Sequence, residues 1–285
     1  MLYQEHPPHP GLKKHIRCYW TLGMSSPAVS RKRQCFLAEG MEFSINLADP
    51  IEVVLHGSEP ATIRGGCILG PMTRAMRVQP TRRVEIFGVC FRPGGAYSFF
   101  PYPASRLVNG CLGMDDPWGS MGSEIVNRIQ GECNSPKERT DLMNRFFLRR
   151  LDDRRNNPCI AAALEVIEAR KGQVDIHRLA RSIGLSGRHM ERCFKERVGM
   201  SPKQLCRSLR FKNVFSHLAA HPADSWVSTA VACGYGDQSH MIKDFKHYTG
   251  TSPAAYFSKP RTMDGINFRE TGDFFGWRQR NSPDG

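Results

Sequence analysis

The sequence predicts an α+β protein of two domains, in which a β-rich N-terminal half with trailing helices precedes an all-helical C-terminal half. Three observations support this prediction. Short apolar runs separated by Gly and Pro fill residues 1–115, a polar segment interrupts the chain at residues 152–158, and apolar residues recur at helical spacing after it. A chain of 285 residues is long enough for two domains that each bury a core.

The N-terminal half contains short apolar runs that predict β-strands. Gly, Pro or polar residues bound each run, and this spacing is typical of a β-sandwich or a small barrel. The runs are His15–Leu22, Phe43–Leu47, Ile51–Leu55, Cys67–Leu69 and Val84–Phe91. Two amphipathic segments, Trp118–Gln130 and Pro136–Leu151, predict the trailing helices. We therefore assign residues 1–151 to a β-rich domain.

Residues 152–158 predict a linker, because they nearly lack apolar side chains and end in Pro158, which favours the start of a helix. The next domain, residues 159–259, shows only helical periodicity. Asp175, Ser186, Ser225 and Asp237 each precede a helical segment and are typical N-cap residues. The tail, residues 260–285, contains Gly, Arg and several aromatic residues, and both packing against the first domain and disorder are open for it.

The most informative feature of residues 159–259 is an internal repeat. Each copy contains a small residue, a glycine, a phenylalanine, a second glycine and a Ser-Pro pair, offset by 50 residues for the first two and by 51 for the rest. The two sets are Ala180, Gly184, Phe194, Gly199 and Ser201-Pro202, and Ala230, Gly234, Phe245, Gly250 and Ser252-Pro253. Alanine permits close packing of helices and glycine permits the positive φ of a tight turn, so each copy predicts a helix-turn-helix.

A helix predicted at Lys203–Ala220 joins the two copies. As a helix this segment spans roughly 27 Å, close to the separation of about 34 Å between successive major-groove faces of B-DNA. The sequence therefore predicts that a single chain reads two groove segments. Arg207, Arg210 and Lys212 lie on or beside this helix, and phosphate contact and a solvated surface are equally open roles for them.

Charge and polarity favour DNA as the partner of this domain. The net charge of the chain is +13, and residues 159–259 hold 15 Lys and Arg against 8 Asp and Glu. The second helix of each copy, predicted at residues 187–198 and 238–248, places a polar face outward. The candidate DNA contacts are Arg188, Glu191, Arg192 and Lys195 in the first copy and Gln238, Ser239, His240 and Lys243 in the second.

Those residue types suit base recognition, since Arg can form two hydrogen bonds to guanine and Gln can form two to adenine. An ordinary solvated helix can carry the same residues, so the matched repeat supports the interpretation more strongly than composition does. Glu191 and Asp244, as acidic residues among the reading faces, favour selective over nonspecific binding.

Other function classes find little support in the sequence. The ten cysteines form no C-x-x-C pair and have no zinc-finger spacing to His, so we expect no metal site or cofactor. We expect inert core thiols, with a thiol sensor as the alternative. No apolar stretch is long enough to cross a membrane and the N-terminus lacks the apolar run of a signal peptide, so we expect a cytoplasmic protein without membrane association.

Catalytic motifs are also missing. His6, His9 and His15 lack the spacing of a zinc protease, and no P-loop, dinucleotide fingerprint or G-x-S-x-G motif occurs. We therefore expect no enzymatic activity. The alternative is a DNA-repair or thiol-reactive enzyme fused to a DNA reader.

The C-terminal half resembles the AraC/XylS family of bacterial transcription regulators. The residues that carry the resemblance are Gly234–His240, Phe245-Lys246 and Gly250–Pro253, with Leu179-Ala180, Gly184, Ser186 and Phe194-Lys195 in the first copy. The resemblance implies two helix-turn-helix subdomains bridged by a long helix, with DNA contacts from the eight outward residues. Thr229 departs from a usual Ile, and Lys243 from a usual Arg, which disfavours a bidentate base contact there.

The N-terminal half resembles an uncharacterised module that is fused to some regulators of this kind. The resemblance rests on Gly70-Pro71, Thr73-Arg74, Gly88-Val89, Phe91–Gly95 and Asp115–Gly119. It implies a cupin-like barrel or sandwich that binds an unnamed effector or dimerises. The expected partners of the whole chain are double-stranded DNA, a small-molecule effector and RNA polymerase. Activation is the expected mode, with repression open, as is a homodimer.

Overall fold

The computed structural model describes residues 2–24, 33–35, 40–55, 59–74, 76–80, 82–258, 262–263 and 266–267. These residues fall into two compact units. The first unit is drawn from residues 1–72, 76–157 and 193–200, and the second from residues 73–75, 158–192 and 201–285. Most of the predicted tail, residues 260–285, lies outside the described residues.

The first unit contains two antiparallel sheets. The strands among the described residues are β1 (Leu2–His6), β2 (Ile16–Met24), β3 (Arg33–Cys35), β4 (Glu42–Asn46), β5 (Ile51–Val54), β6 (Ala61–Ile63), β7 (Gly66–Leu69), β8 (Met76–Pro80), β9 (Val84–Phe91), β10 (Cys111–Gly113), β11 (Thr262–Met263) and β12 (Ile266–Asn267). Six strands form one sheet in the order β1-β2-β9-β4-β7-β10, and four form another in the order β3-β8-β5-β6. The β-rich prediction is confirmed, and five strands of the two sheets, β1, β3, β6, β8 and β10, lie outside the predicted runs.

Alternation along the strands gives the six-stranded sheet two buried faces. Phe43 and Val89 on one face share a core with the helices that follow the sheet, among them Ile129 and Phe147. Cys67 and Leu69 on the other face pack with residues of the second sheet, including Ile51, Val53 and Met76. The two sheets therefore pack face to face, as in a sandwich.

The helices are α1 (Asp115–Trp118), α2 (Ser120–Gly131), α3 (Pro136–Leu148), α4 (Pro158–Ala169), α5 (Ile176–Ser182), α6 (Gly187–Arg197), α7 (Pro202–Ala220), α8 (Trp226–Ala232), α9 (Gln238–Thr249) and α10 (Pro253–Ser258). Gly119 has a φ of +58° and separates α1 from α2, so the first trailing helix begins later than predicted. Within the predicted linker, Asp153–Arg155 forms a 3-10 helix that the Asp152 side chain caps. No described helix has the length and apolar character needed to span a bilayer.

Candidate nucleic-acid interface

The turn between α5 and α6 has the geometry that the sequence predicts. Gly184 has a φ of +70°, in the left-handed region that favours glycine. The Gly184 N–H donates to the Arg181 carbonyl at 3.1 Å, and the Leu185 N–H donates to the Ala180 carbonyl at 2.9 Å. This pair of bonds is the Schellman motif, which ends α5 sharply and turns the chain into α6.

The turn between α8 and α9 repeats that geometry. Gly234 has a φ of +76°, its N–H donates to the Val231 carbonyl at 3.0 Å, and the Tyr235 N–H donates to the Ala230 carbonyl at 2.9 Å. The 50-residue offset in sequence is therefore also an offset in backbone structure. Hereafter the first copy is α5 and α6, and the second copy is α8 and α9.

Matched N-caps start the helices of both copies. Asp175 accepts from the His177 N–H at 2.9 Å at the start of α5, and Ser225 accepts from the Ser228 N–H at 3.1 Å at the start of α8. The reading helices are capped in the same way, by Ser186 in α6 at 3.2 Å and by Asp237 in α9 at 2.7 Å. Each cap satisfies a backbone N–H that the helix itself leaves without a partner.

The buried faces of the reading helices also correspond. Met190 and Phe194 of α6 have no exposed surface, and neither do Met241 and Phe245 of α9. Residues four apart lie on one side of a helix, so these pairs hold each reading helix on its core. The opposite side of each helix is then directed to solvent.

The outward face of α6 presents the predicted residues. Arg188, Glu191, Arg192 and Lys195 are all exposed. The sequence interpretation did not include His189, which is also exposed and whose Nδ1 lies 3.4 Å from Arg192 Nη2. His189 lies one helical turn before Arg192, and this spacing alone would have placed it on the same outward face.

The outward face of α9 presents Ser239, His240 and Lys243 as exposed side chains and Gln238 as a half-buried one. The His240 ring meets the ring of Tyr235 edge-on, with 5.2 Å between centroids and an interplanar angle of 86°. Tyr235 is buried, so the histidine ring has a fixed surface beside it. Lys246, which the sequence interpretation omitted, is exposed further along α9.

The expected location of Asp244 is wrong. Asp244 is 3% exposed, and its Oδ1 lies 2.7 Å from Arg207 Nε. Asp244 directly follows the outward Lys243, and one step along a helix rotates the side chain by roughly 100°, here into the core. Asp244 therefore does not tune selectivity from the reading face, and Arg207 is engaged within the protein.

Arg210 is also engaged internally. Its Nη1 donates to the Gly172 carbonyl at 3.1 Å, and its guanidinium lies 5.5 Å from the centre of the Tyr235 ring. Arg210 is therefore half-buried and bonded within the protein, whereas the sequence left a solvated surface and phosphate contact open for it.

Aromatic packing joins α7 to the second copy. Phe211 stacks on Tyr248 with 4.4 Å between ring centroids, and Phe215 stacks on Phe245 with 5.5 Å. All four residues are buried. Aromatic pairs at these distances stabilise a contact beyond the area that they bury, so α7 and α9 form a fixed pair.

Two thiols of this region are less acidic than a free cysteine. Burial raises the pKa of Cys206 to about 11 and that of Cys233 to about 11. Among the described residues, no three or more His, Cys, Asp or Glu side chains are grouped as a metal site requires.

Comparison with known proteins gives two family matches. The family model of a helix-turn-helix domain matches residues 179–259, and a domain of unknown function, DUF6597, matches residues 4–113. An uncharacterised HTH-type transcriptional regulator from Haemophilus influenzae is 27% identical over 116 residues. That match covers 41% of this chain and 38% of the relative's length.

Two of the similar solved structures are of ToxT from Vibrio cholerae. One is 12% identical, has a TM-score of 0.46, and is matched over 90% of this chain and 98% of ToxT. The other, bound to an unsaturated fatty acid, is 11% identical, has a TM-score of 0.46, and is matched over 83% of this chain and 92% of ToxT.

Proposed function

We propose that this chain is a sequence-specific DNA-binding regulator of transcription of the AraC type, because residues 179–259 match a helix-turn-helix domain family. The observation that carries the proposal is the pair of exposed polar faces on α6 and α9. Both faces lie on helices with matched turns, caps and buried residues. A repeated surface of this kind suits the repeated grooves of one duplex.

The residue types on these faces suit base reading. Arg188 and Arg192 can each form a bidentate pair with guanine, and Gln238 can form one with adenine. Lys243 offers a point charge in place of a planar fork, so we assign it to phosphate or to a single acceptor. Glu191 can accept from the exocyclic amine of cytosine. We propose these residues, with Lys195, Ser239 and His240, as the DNA contacts.

The connecting helix supports simultaneous reading of two segments. α7 runs for 19 residues, which corresponds to roughly 28 Å of helix. The packing of α7 on α9 holds the second copy rigidly on α7, the helix that separates the two copies. We infer that α6 and α9 enter successive major-groove segments of one site.

Exposed basic residues outside the reading faces supply candidate phosphate contacts. Arg178, Arg181, Lys203 and Lys246 are all exposed, whereas Arg207 and Arg210 are engaged within the protein. Contacts to phosphates position a protein on DNA without specifying sequence. We therefore propose that these four exposed basic residues position the protein along the duplex. The polar faces of α6 and α9 would then determine which sequence is bound.

We propose that residues 1–151 form a sensory domain, joined through residues 152–158 to the DNA-binding domain at residues 159–259. Support comes from the β-sandwich with trailing helices and from the match of residues 4–113 to a separate domain family. We further propose an effector, contact with RNA polymerase, a cytoplasmic location and a regulatory, non-catalytic role. A metabolite screen that follows the melting temperature of the full chain tests the sensory role. If no metabolite shifts the melting temperature and none changes the affinity for DNA, the sensory role is contradicted.

Selection of binding sites from random duplexes, followed by footprinting, tests the DNA-binding proposal. We expect an enriched site with two protected segments whose centres lie about 10–10.5 base pairs apart on one face of the duplex. Enrichment of no sequence overturns the proposal of specific binding. A single protected segment overturns the two-segment mode alone.

A further inference from the structure

Arg210 stands at a junction that neither the repeat nor the reading faces account for. It lies on α7, and its Nη1 donates to the Gly172 carbonyl at 3.1 Å. Gly172 belongs to the turn that leads from α4 to Asp175, the N-cap of α5. This hydrogen bond therefore connects α7 to the segment that precedes α5, the first helix of the first copy.

The turn at Gly172 is packed tightly on α7. A Cβ atom at Gly172 would lie 2.3 Å from the Cys206 carbonyl oxygen, a distance that side chains do not adopt. Gly172 also has a φ of +76°, which disfavours other residues. Both constraints bring the Gly172 backbone within reach of Arg210, which lies one turn after Cys206.

The same turn meets the second copy directly. The Gln173 side chain donates through Nε2 to the Ala232 carbonyl at 3.2 Å, at the end of α8. A Cβ at Gly234 would lie 2.4 Å from Gln173 Cγ, so the Gln173 side chain packs directly against the backbone of this turn. Gly172 and Gln173 thus contact both α7 and the turn that precedes α9.

The guanidinium of Arg210 faces the second copy as well. Its Cζ lies 5.5 Å from the centre of the Tyr235 ring, and the edge-on contact of that ring with His240 spans 5.2 Å. Tyr235 is 4% exposed, whereas His240 is exposed on the reading face. The series Gly172, Arg210, Tyr235, His240 runs without interruption from the entry of the first copy to a proposed base-contacting ring.

We infer that Arg210 is a positioning residue for DNA reading, which fixes the first copy against the second and, through Tyr235, sets the orientation of His240. Arg suits this position because its planar cation can donate to a carbonyl and at the same time lie on an aromatic face. The inference rests on the proposed function. It adds that specificity across the two half-sites depends on a residue that does not touch DNA.

Two DNA probes test the inference, one with both half-sites obtained by selection and one with the α9 half-site scrambled, so that only α6 reads it. We expect Arg210→Met to weaken binding to the two-half-site duplex by about tenfold, a typical coupling between sites. Binding to the single-half-site duplex should stay within about twofold of wild type, because coupling contributes nothing when only one copy reads.

Salt dependence separates positioning from phosphate contact. A residue that contacts a phosphate contributes about 0.9 to the slope of log K against log salt. Arg210→Met should leave that slope unchanged, whereas the matched control Lys243→Met, on the exposed reading face, should lower it by about one. A slope lowered equally by both variants overturns the inference and places Arg210 on DNA.

The role of Tyr235 is tested by base preference. Tyr235→Leu should flatten the preference at the bases read by α9 and leave those read by α6 intact, while Tyr235→Phe should retain the wild-type profile because the ring is kept. Unfolding midpoints of all variants identify general instability, and Arg210→Lys provides a milder variant if Arg210→Met unfolds. Equal losses on both duplexes by a folded variant contradict the inference. If the wild-type chain selects no DNA, the proposed function fails and the inference fails with it.

Discussion

The Nε of Arg207 lies 2.7 Å from the Oδ1 of Asp244, and this ion pair ties the rod helix α7 to the reading helix α9. The Asp244 side chain is 4% exposed and that of Arg207 is 31% exposed. A buried carboxylate is tolerated when a partner and hydrogen bonds compensate its lost hydration. The pair therefore fixes the side of α9 that faces the core, and with it the opposite side, which we propose as the DNA-reading face.

Removal of Arg207 should destabilise the chain strongly. Arg207→Met leaves Asp244 buried beside an apolar side chain, and we expect the free energy of unfolding to fall by about 3 kcal/mol. Urea unfolding followed by circular dichroism measures this loss. The matched control is Arg154→Met, because Arg154 pairs with Asp152 but is 92% exposed, so we expect a change within about 1 kcal/mol. Equal losses in the two variants would show that the buried pair has no special weight.

Arg192→Ala should weaken binding to the selected site by roughly 1–3 kcal/mol, because it removes the proposed bidentate contact to guanine. Base preference should relax near one half of the site only. Fluorescence anisotropy with selected and random duplexes measures both effects. If affinity for random DNA falls by the same factor, Arg192 contacts phosphate and reads no base.

Thr229→Val should stabilise the second copy. Thr229 is fully buried, and its Oγ1 has no hydrogen-bond partner among the described residues. The equivalent position in the first copy is Leu179. Valine has the same shape without the hydroxyl, so we expect a gain of about 1 kcal/mol in the free energy of unfolding.

The control for this gain is Thr249→Val. Thr249 is buried too, but its Oγ1 donates to the Phe245 carbonyl at 2.8 Å. Its loss should lower the free energy of unfolding by about 1 kcal/mol. A drop in the melting temperature of Thr229→Val would mean that the hydroxyl has a partner after all.

Cys111 should be more reactive than Cys206 and Cys233. Cys67 and Cys111 lie on neighbouring strands, where Cys67 is opposite Gly113 and Cys111 is opposite Leu69. A hydrogen bond from the Cys67 thiol lowers the pKa of Cys111, whereas the same bond and burial raise the pKa of Cys67. At about pH 8, alkylation followed by peptide mass spectrometry should label Cys111 well before Cys206 and Cys233, because the thiolate is the nucleophile.

Cys67→Ala removes the donor and should slow the labelling of Cys111. An unchanged rate in this variant would separate the reactivity of Cys111 from its neighbour. Faster labelling of Cys111 would show that the expectation of inert core thiols does not extend to this residue.

Local features of the second domain were determined by the sequence. The turns at Gly184 and Gly234, the caps at Asp175 and Ser225, and the outward positions of α6 and α9 follow from interactions within about five residues along the chain. A repeat displays each of these interactions twice, which is why the pattern alone predicted both copies. The strand runs in the first half were predictable for the same reason, since alternation is a local property.

Only the tertiary structure decided which side chains meet across elements. Arg207 and Asp244 are 37 residues apart, and Arg210 and Gly172 are 38 apart. The hydrogen bond between the Cys67 and Cys111 thiols likewise depends on strand order and register, which the periodicity of the sequence does not determine. Helical spacing indicates which residues share a face of a helix. The partner of that face is set by the packing of whole helices and sheets. A polar residue on such a face therefore has the same sequence pattern whether it contacts solvent, DNA or a buried carboxylate.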